Sequence, residues 1–422
     1  MNIQLPENVK LILTNLSNAG HSAFIVGGCV RDCLMGSIPK DWDITTSALP
    51  HKIKKIFNHT VDTGIAHGTV TVVIQNCNYE VTTFRIDGTY LDGRRPKNVS
   101  FTANLEEDLS RRDFTINAIA YNPSTYIIDP FNGLGDIQKK TIRCVGRASS
   151  RFQEDALRMM RAIRFSAQLS FSIDPNTYQA ISLSSERLKM VSMERIRDEL
   201  TKIMSSHNPA ALTLLEDTNL WVQILRGVSF YGNLAQASEW LKLCPKEPAM
   251  MYSLLFFDNI FFDMETQPQN ISEISAAYRD ISQQVYKLMR HLKFDNRTIK
   301  ETAVYSNWLK IFIENNRYSV KLALNSMGLH QLKNLIVLKK IIKPKETLHW
   351  DNVQTTAEDV VKSGECFTLK DLAIDGQALI NANIPPGKVM GRIMEDILNR
   401  VMVDPSLNQR EILIKIATDL LD

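Results

Sequence analysis

Apolar residues at Val9, Ile12 and Leu16 recur at helical spacing behind Pro6, so the chain opens on a predicted helix over residues 6–16, with Gly20 as its stop. Residues 22–26 predict a short strand, 28–35 a helix closed by Gly36, and 41–45 a second strand. Ser47 is placed to cap a helix running to about Phe57. Residues 69–74 and 79–85 alternate β-branched and polar side chains, as two strands joined by a hairpin around Asn76 would. Beyond about Ser149 the period lengthens. Residues 151–169 predict one long helix, Ser192 caps another that reaches Met204, and strand signals become rare. The expected fold class is α+β: an N-terminal α/β head (1–148) followed by an all-helical neck (149–210), body (211–300) and tail (301–422), with a boundary at Asn208-Pro209. No internal repeat or low-complexity run interrupts this outline.

Composition narrows the class. Hydrophobic residues make up 44% of the 422 residues and charged residues 23%, which excludes a disordered, collagenous or fibrous chain. The longest oily stretch, 250–264, is broken by Asp258, Asn259 and Asp263, well short of the ~20 apolar residues that span a bilayer, so no membrane partner is expected. Pro6 and Glu7 stand where a secretory signal would be basic. The six cysteines form neither a C-x-x-C pair nor a zinc pattern, which fits free thiols in a reducing cytoplasm. No His precedes an Asp, against a His-Asp metal phosphohydrolase. With a net charge of only +3, a polyanionic partner must meet clustered cations, and residues 293–346 hold eleven Lys/Arg against four Asp/Glu.

Two short signals carry chemistry. Gly27-Gly28-Cys29-Val30-Arg31-Asp32 follows the first predicted strand. Glycines permit a sharp turn and close approach of backbone to ligand. A helix starting there points free N–H groups at a phosphate, and Arg31 adds a forked cation. A Gly-Gly pair alone marks only a tight turn. Asp41-Trp42-Asp43 places carboxylates at i and i+2, on one face of a strand. They repel unless a cation neutralises them. Hard oxygen donors suit Mg²⁺, which takes one or two carboxylates plus substrate phosphates. An isolated D-x-D is more often a solvated strand end, but a phosphate seat beside a metal seat is what nucleotidyl transfer requires.

These blocks, with Leu34-x-Gly36 between them, resemble the opening of the tRNA nucleotidyltransferase and bacterial poly(A) polymerase group, in the DNA polymerase β-like nucleotidyltransferase superfamily. The resemblance continues through Leu109-x-Arg111-Arg112-Asp113-Phe114-Thr115-Ile116-Asn117-Ala118 and Glu154-Asp155-x-Leu157-Arg158-x-x-Arg161-x-x-Arg164-Phe165. A last block, Glu194-Arg195-Ile196 with Glu199-Leu200-x-Lys202, is similar to the family's neck motif. The blocks fall in family order across residues 20–205. The resemblance implies a nucleotidyltransferase head and template-independent addition of C, C and A to tRNA 3′ ends from CTP and ATP with Mg²⁺. It implies Asp41 and Asp43 as catalytic metal ligands, and Gly28, Arg31, Arg112, Asp155, Arg158, Arg161 and Arg164 as nucleotide contacts.

Physical reasoning supports part of that list. Arg158, Arg161 and Arg164 step by three, which leaves neighbours about 60° apart around a helix, and Asp155 is expected to start the same stripe. Cytosine and adenine both present an exocyclic amine beside a ring nitrogen acceptor. Asp155 would accept from the amine and Arg158 would donate to the ring nitrogen, while uracil and guanine would leave buried groups mispaired. Asp113 is expected to orient Arg112 or cap the next helix. Glu80 stands where the resemblance suggests a third carboxylate, or else is an exposed strand residue. Residues 85–96 resemble the family loop needed to switch from CTP to ATP, and His67 is expected to be structural. Asp375-Gly376 and Pro386-Gly387-Lys388 with Gly391 resemble the tail that holds the tRNA elbow. A poly(A) polymerase and a non-catalytic tRNA-binding protein stay open as alternatives.

Overall fold

The computed structural model describes residues 3–88, 99–230, 232–257 and 283–421. The chain forms two compact units, 1–227 and 228–422. Unit 1 is built on a seven-stranded mixed sheet. Its strands are β1 (Ala23–Val26), β2 (Ile44–Thr46), β3 (Thr60–Gly64), β4 (Thr69–Ile74), β5 (Cys77–Thr83), β8 (Ala120–Asn122) and β9 (Tyr126–Ile128), in the order β3-β4-β5-β2-β1-β8-β9. β1 runs antiparallel to β2 and β8, and β2 runs parallel to β5. A small separate ribbon pairs β6 (Arg85–Asp87) with β7 (Val99–Phe101).

All four residues of β1 are buried because the sheet is covered on both faces. Ala23 and Ile25 join Val9, Ile12, Leu16 and Val30 from helices α1 (Glu7–Asn18) and α2 (Gly28–Leu34). Phe24 and Val26 point the other way, onto Phe84, Leu109 and Val145. The hairpin β4–β5 turns on Gln75 and Asn76, both with positive φ (51° and 61°), as a tight two-residue turn needs.

Several expected elements shift. The second strand starts at Ile44, so Asp41 and Asp43 lie on its lead-in. The next helix is α3 (Pro50–Ile56), begun by proline. Ser47 does not cap it; its Oγ accepts from the Ser22 amide at 3.0 Å. The expected long helix breaks in two, α6 (Ala148–Glu154) and α7 (Leu157–Leu169), separated by Asp155 in an extended conformation (φ −142°). Helix α9 (Met193–Met204) follows the expected span, and all six cysteines are free.

Unit 2 is helical throughout its described residues, with Asn296–Lys310, Arg317–Ile342, Thr347–Lys362 and Lys388–Val403 as its longest helices. The second of these is interrupted at Gly328. Two cations of the basic stretch point inward. Lys321 is 1% exposed, donates to the Met402 carbonyl and pairs with Glu365 at 2.7 Å. Lys339 donates to the carbonyls of Leu309 and Ile311, at 2.9 and 2.6 Å, where helix Asn296–Lys310 ends with orphan acceptors. Burial brings the Lys339 ammonium down to about 7. Asp375 caps helix Gly376–Asn381 through the Ala378 amide, and Gly387 starts Lys388–Val403 with φ 115°.

Candidate active site

Asp41 and Asp43 line one open cleft of about 450 Å³ together with Trp42, Thr63, Thr71, Asn78 and Glu80. The β2 lead-in is fixed because the Asp43 carbonyl accepts from the Val26 amide at 3.0 Å, extending the β1–β2 ladder by one bond. Both carboxylates are solvent-accessible. The surrounding walls desolvate Asp43 enough to push its carboxyl above the ordinary range; Arg112 opposes this shift and Asp41 adds to it. Glu80 reaches the cleft from β5, opposite Thr71 on β4, and Thr71 Oγ1 lies 2.8 Å from Thr63 Oγ1.

These groups fit a hard divalent cation. Two acidic side chains press on each other at a solvent-open edge, and their donors are all oxygen. Among the described residues no set of three or more His, Cys, Asp or Glu closes around one point. A cation would therefore complete its shell with water and phosphate oxygens, as Mg²⁺ prefers.

Gly27 has a φ of 81°, which requires glycine. A Cβ there would lie 3.0 Å from Arg112 Nη1, so the Arg112 guanidinium rests on the bare turn. Gly28 opens α2, and a Cβ on it would sit 3.6 Å from Arg31 Nη2. Arg31 is buried, donates to Asn117 Oδ1 at 2.7 Å and to Asp32, and lies over the Phe165 ring. Arg112 contacts Asp108 Oδ2 at 3.3 Å and leaves its buried Nε without a partner among the described residues.

Helix α7 carries the arginine stripe. Asp155 caps it by accepting from the Leu157 amide at 3.0 Å and takes a two-pronged pair from Arg195 of α9. Asp155 thus precedes the stripe rather than riding on it. Arg158 binds Glu154 at 2.6 Å and the Arg111 carbonyl at 2.9 Å. Arg161 forks onto Asp113 at 2.8 and 2.5 Å. Arg164 pairs with Glu199 of α9 at 3.2 Å and stacks on Phe165; desolvation lowers it to about 10. Asp113 also accepts from Asn117 and from the Phe114 amide. Burial alone would raise its carboxyl, but Arg161 and Asn117 bring it to about 2. Asp113 therefore orients Arg161 instead of Arg112. The motif reading passed over Asp108, an ordinary member of a charged run, and it placed Arg195 in the neck motif without its contact to Asp155.

His67 contributes its carbonyl, which accepts from Arg85. Of the expected loop, residues 85–88 are described and 89–96 lie outside the described residues.

Comparison with known proteins gives the family. Residues 23–143 match the family described as Poly A polymerase head domain, and residues 262–417 match tRNA nucleotidyltransferase domain 2. A CCA-adding enzyme of Lactobacillus johnsonii is 37% identical over 93% of this chain and 92% of its own length. The chain belongs to the CCA-adding enzyme family. A second CCA-adding enzyme, from Ligilactobacillus salivarius, is 36% identical over 97% of this chain and 96% of its own. The crystal structure of the Bacillus stearothermophilus CCA-adding enzyme in complex with CTP matches with a TM-score of 0.75 and 30% identity, covering 99% of this chain and 98% of that one. The α+β fold with an N-terminal sheet is thus the CCA-adding enzyme fold, and the chain is a nucleotidyltransferase of tRNA processing.

Proposed function

We propose that this chain adds C, C and A in turn to the 3′ end of tRNA, without a nucleic-acid template, using CTP and ATP and releasing pyrophosphate. The observation that carries this reading is the cleft shared by Asp41 and Asp43, with Asp43 within electrostatic reach of Arg112, whose inner N–H has no partner among the described residues. Asp41 and Asp43 would hold Mg²⁺, with Glu80 on the same wall. When bound, the cation lowers the barrier by stabilising charge on the attacking and leaving oxygens. Arg31 and Arg112 take the triphosphate beside the bare Gly27-Gly28 turn. Asp155 and Arg158 read the base edge, Arg161 and Arg164 brace it, and the fixed positions of these groups replace a template strand. Little protein acid–base chemistry is needed, since positioning and charge neutralisation dominate this class of transfer. The 85–96 segment would serve the change from CTP to ATP. Helices of unit 2 would hold the tRNA elbow, and the protein would act in the cytoplasm.

The test is a product-length assay on tRNA lacking CCA, in Mg²⁺, with labelled CTP or ATP. Two C additions followed by a single A are expected. A lengthening A tract would instead make it a poly(A) polymerase, and no incorporation would leave a tRNA-binding protein.

A further inference from the structure

Asp108 is fully buried at the junction of three segments. Its Oδ2 accepts from Thr45 Oγ1 on β2, two residues beyond Asp43, and from Arg112 Nη2, both at 3.3 Å. Its Oδ1 accepts from Arg111 Nε at 3.1 Å, from Arg111 Nη2 at 2.7 Å, and from the Arg85 amide at 3.3 Å. Two neighbouring guanidinium groups therefore share one carboxylate unequally. Arg111 holds it with two charge-assisted bonds, the shorter at 2.7 Å, while Arg112 touches it with one at 3.3 Å. Arg112 Nη1 rests on the Gly27 turn, and its buried Nε has no partner among the described residues. A buried donor left unpaired costs free energy unless a ligand meets it.

Consider the same site with Arg111 uncharged. Asp108 would remain buried, and a buried carboxylate needs a cation. Arg112 is the adjacent one. It would close onto Asp108 in the two-pronged geometry Arg111 now uses, and its charge would be spent on the protein instead of on the triphosphate.

We propose that Arg111 is a positioning residue that saturates Asp108 so that the Arg112 guanidinium stays free for the nucleotide's phosphates. Arg111 need not touch the nucleotide; its effect runs through Asp108. The inference rests on the reading of this cleft as a nucleoside triphosphate site.

The experiment measures KM and kcat for CTP on tRNA lacking CCA, and for ATP on tRNA ending in CC. Arg111→Gln is expected to raise both KM values by ~10-fold with kcat moved by less than ~3-fold. Adding Asp108→Asn to Arg111→Gln removes the competing carboxylate, so KM should return to within ~3-fold of wild type, a coupling opposite in sign to the accumulating damage of a merely structural role. An unchanged KM in Arg111→Gln, or a double variant worse than Arg111→Gln, overturns the proposal. Should Arg111→Gln fail to fold, Arg111→Lys and the double variant decide it: both within ~3-fold of wild type uphold it, and either above ~10-fold overturns it. Equilibrium binding of labelled CTP reads the same shift without turnover. A wild-type chain that incorporated nothing would thus sink the assignment of function while the Arg111 effect stayed measurable.

Discussion

Asp43 carries a charge that its surroundings oppose. Its folded-state carboxyl lies above the ordinary value because the cleft walls desolvate it and Asp41 repels it, despite Arg112. A raised carboxyl means the folded chain holds its proton more tightly than the unfolded chain does. The ionised group therefore costs stability, fully so above the folded pKa and not at all below the unfolded one. Asp43→Asn should abolish incorporation and yet melt at the same temperature or ~1–3 °C higher at neutral pH without divalent cations. The difference should close as pH falls below about 4. Mg²⁺ should raise the wild-type melting temperature and leave that of the variant unmoved. Calorimetry over a pH series checks all three. A variant clearly less stable than wild type at neutral pH would mean that Asp43 is a structural anchor.

Among elements, the break between α6 and α7 matters most, because it puts Asp155 in the grip of Arg195. A carboxylate on an unbroken helix could rotate; one that caps Leu157 and is clamped from α9 cannot. Asp155→Ala should blur the choice of CTP over UTP and of ATP over GTP, and Arg195→Met should weaken it by ~10-fold with Asp155 still present. A competition assay with mixed nucleotides measures both, and undiminished selectivity in Arg195→Met would refute the clamp. The sequence showed the uniformly apolar β1, the β4–β5 hairpin with Asn76 at its turn, and the D-x-D pair, because each depends on neighbours within a few residues. The helix break was hidden because residues 148–169 contain no glycine or proline, and its one local mark, Asp155 accepting from the Leu157 amide, belongs to a residue also held by Arg195, 40 residues away. Strand β3 was hidden as well, since Thr60–Gly64 is exposed or half-buried along its length and lacks the apolar alternation that reveals a strand. The junction at Asp108 joins residues up to 63 apart, beyond any motif window.

For the molecule as a whole, unit 1 contains the sheet, both faces of its core, the cleft and α9. A fragment spanning 1–227 should therefore fold and bind CTP within ~3-fold of the intact chain while losing ~10-fold or more in affinity for tRNA. Nucleotide titration and gel-shift assays on fragment and full chain check this, and a fragment that unfolds would show that unit 2 is needed for the head's stability. Two of the eleven cations between residues 293 and 346 point into the core, where Lys321 and Lys339 meet backbone carbonyls. Each lysine so occupied is one that releases no counterion from RNA, flattening the dependence of log affinity on log salt by about 0.7. Binding by this half of the chain should accordingly survive a rise in ionic strength that its formal charge would lead one to think fatal.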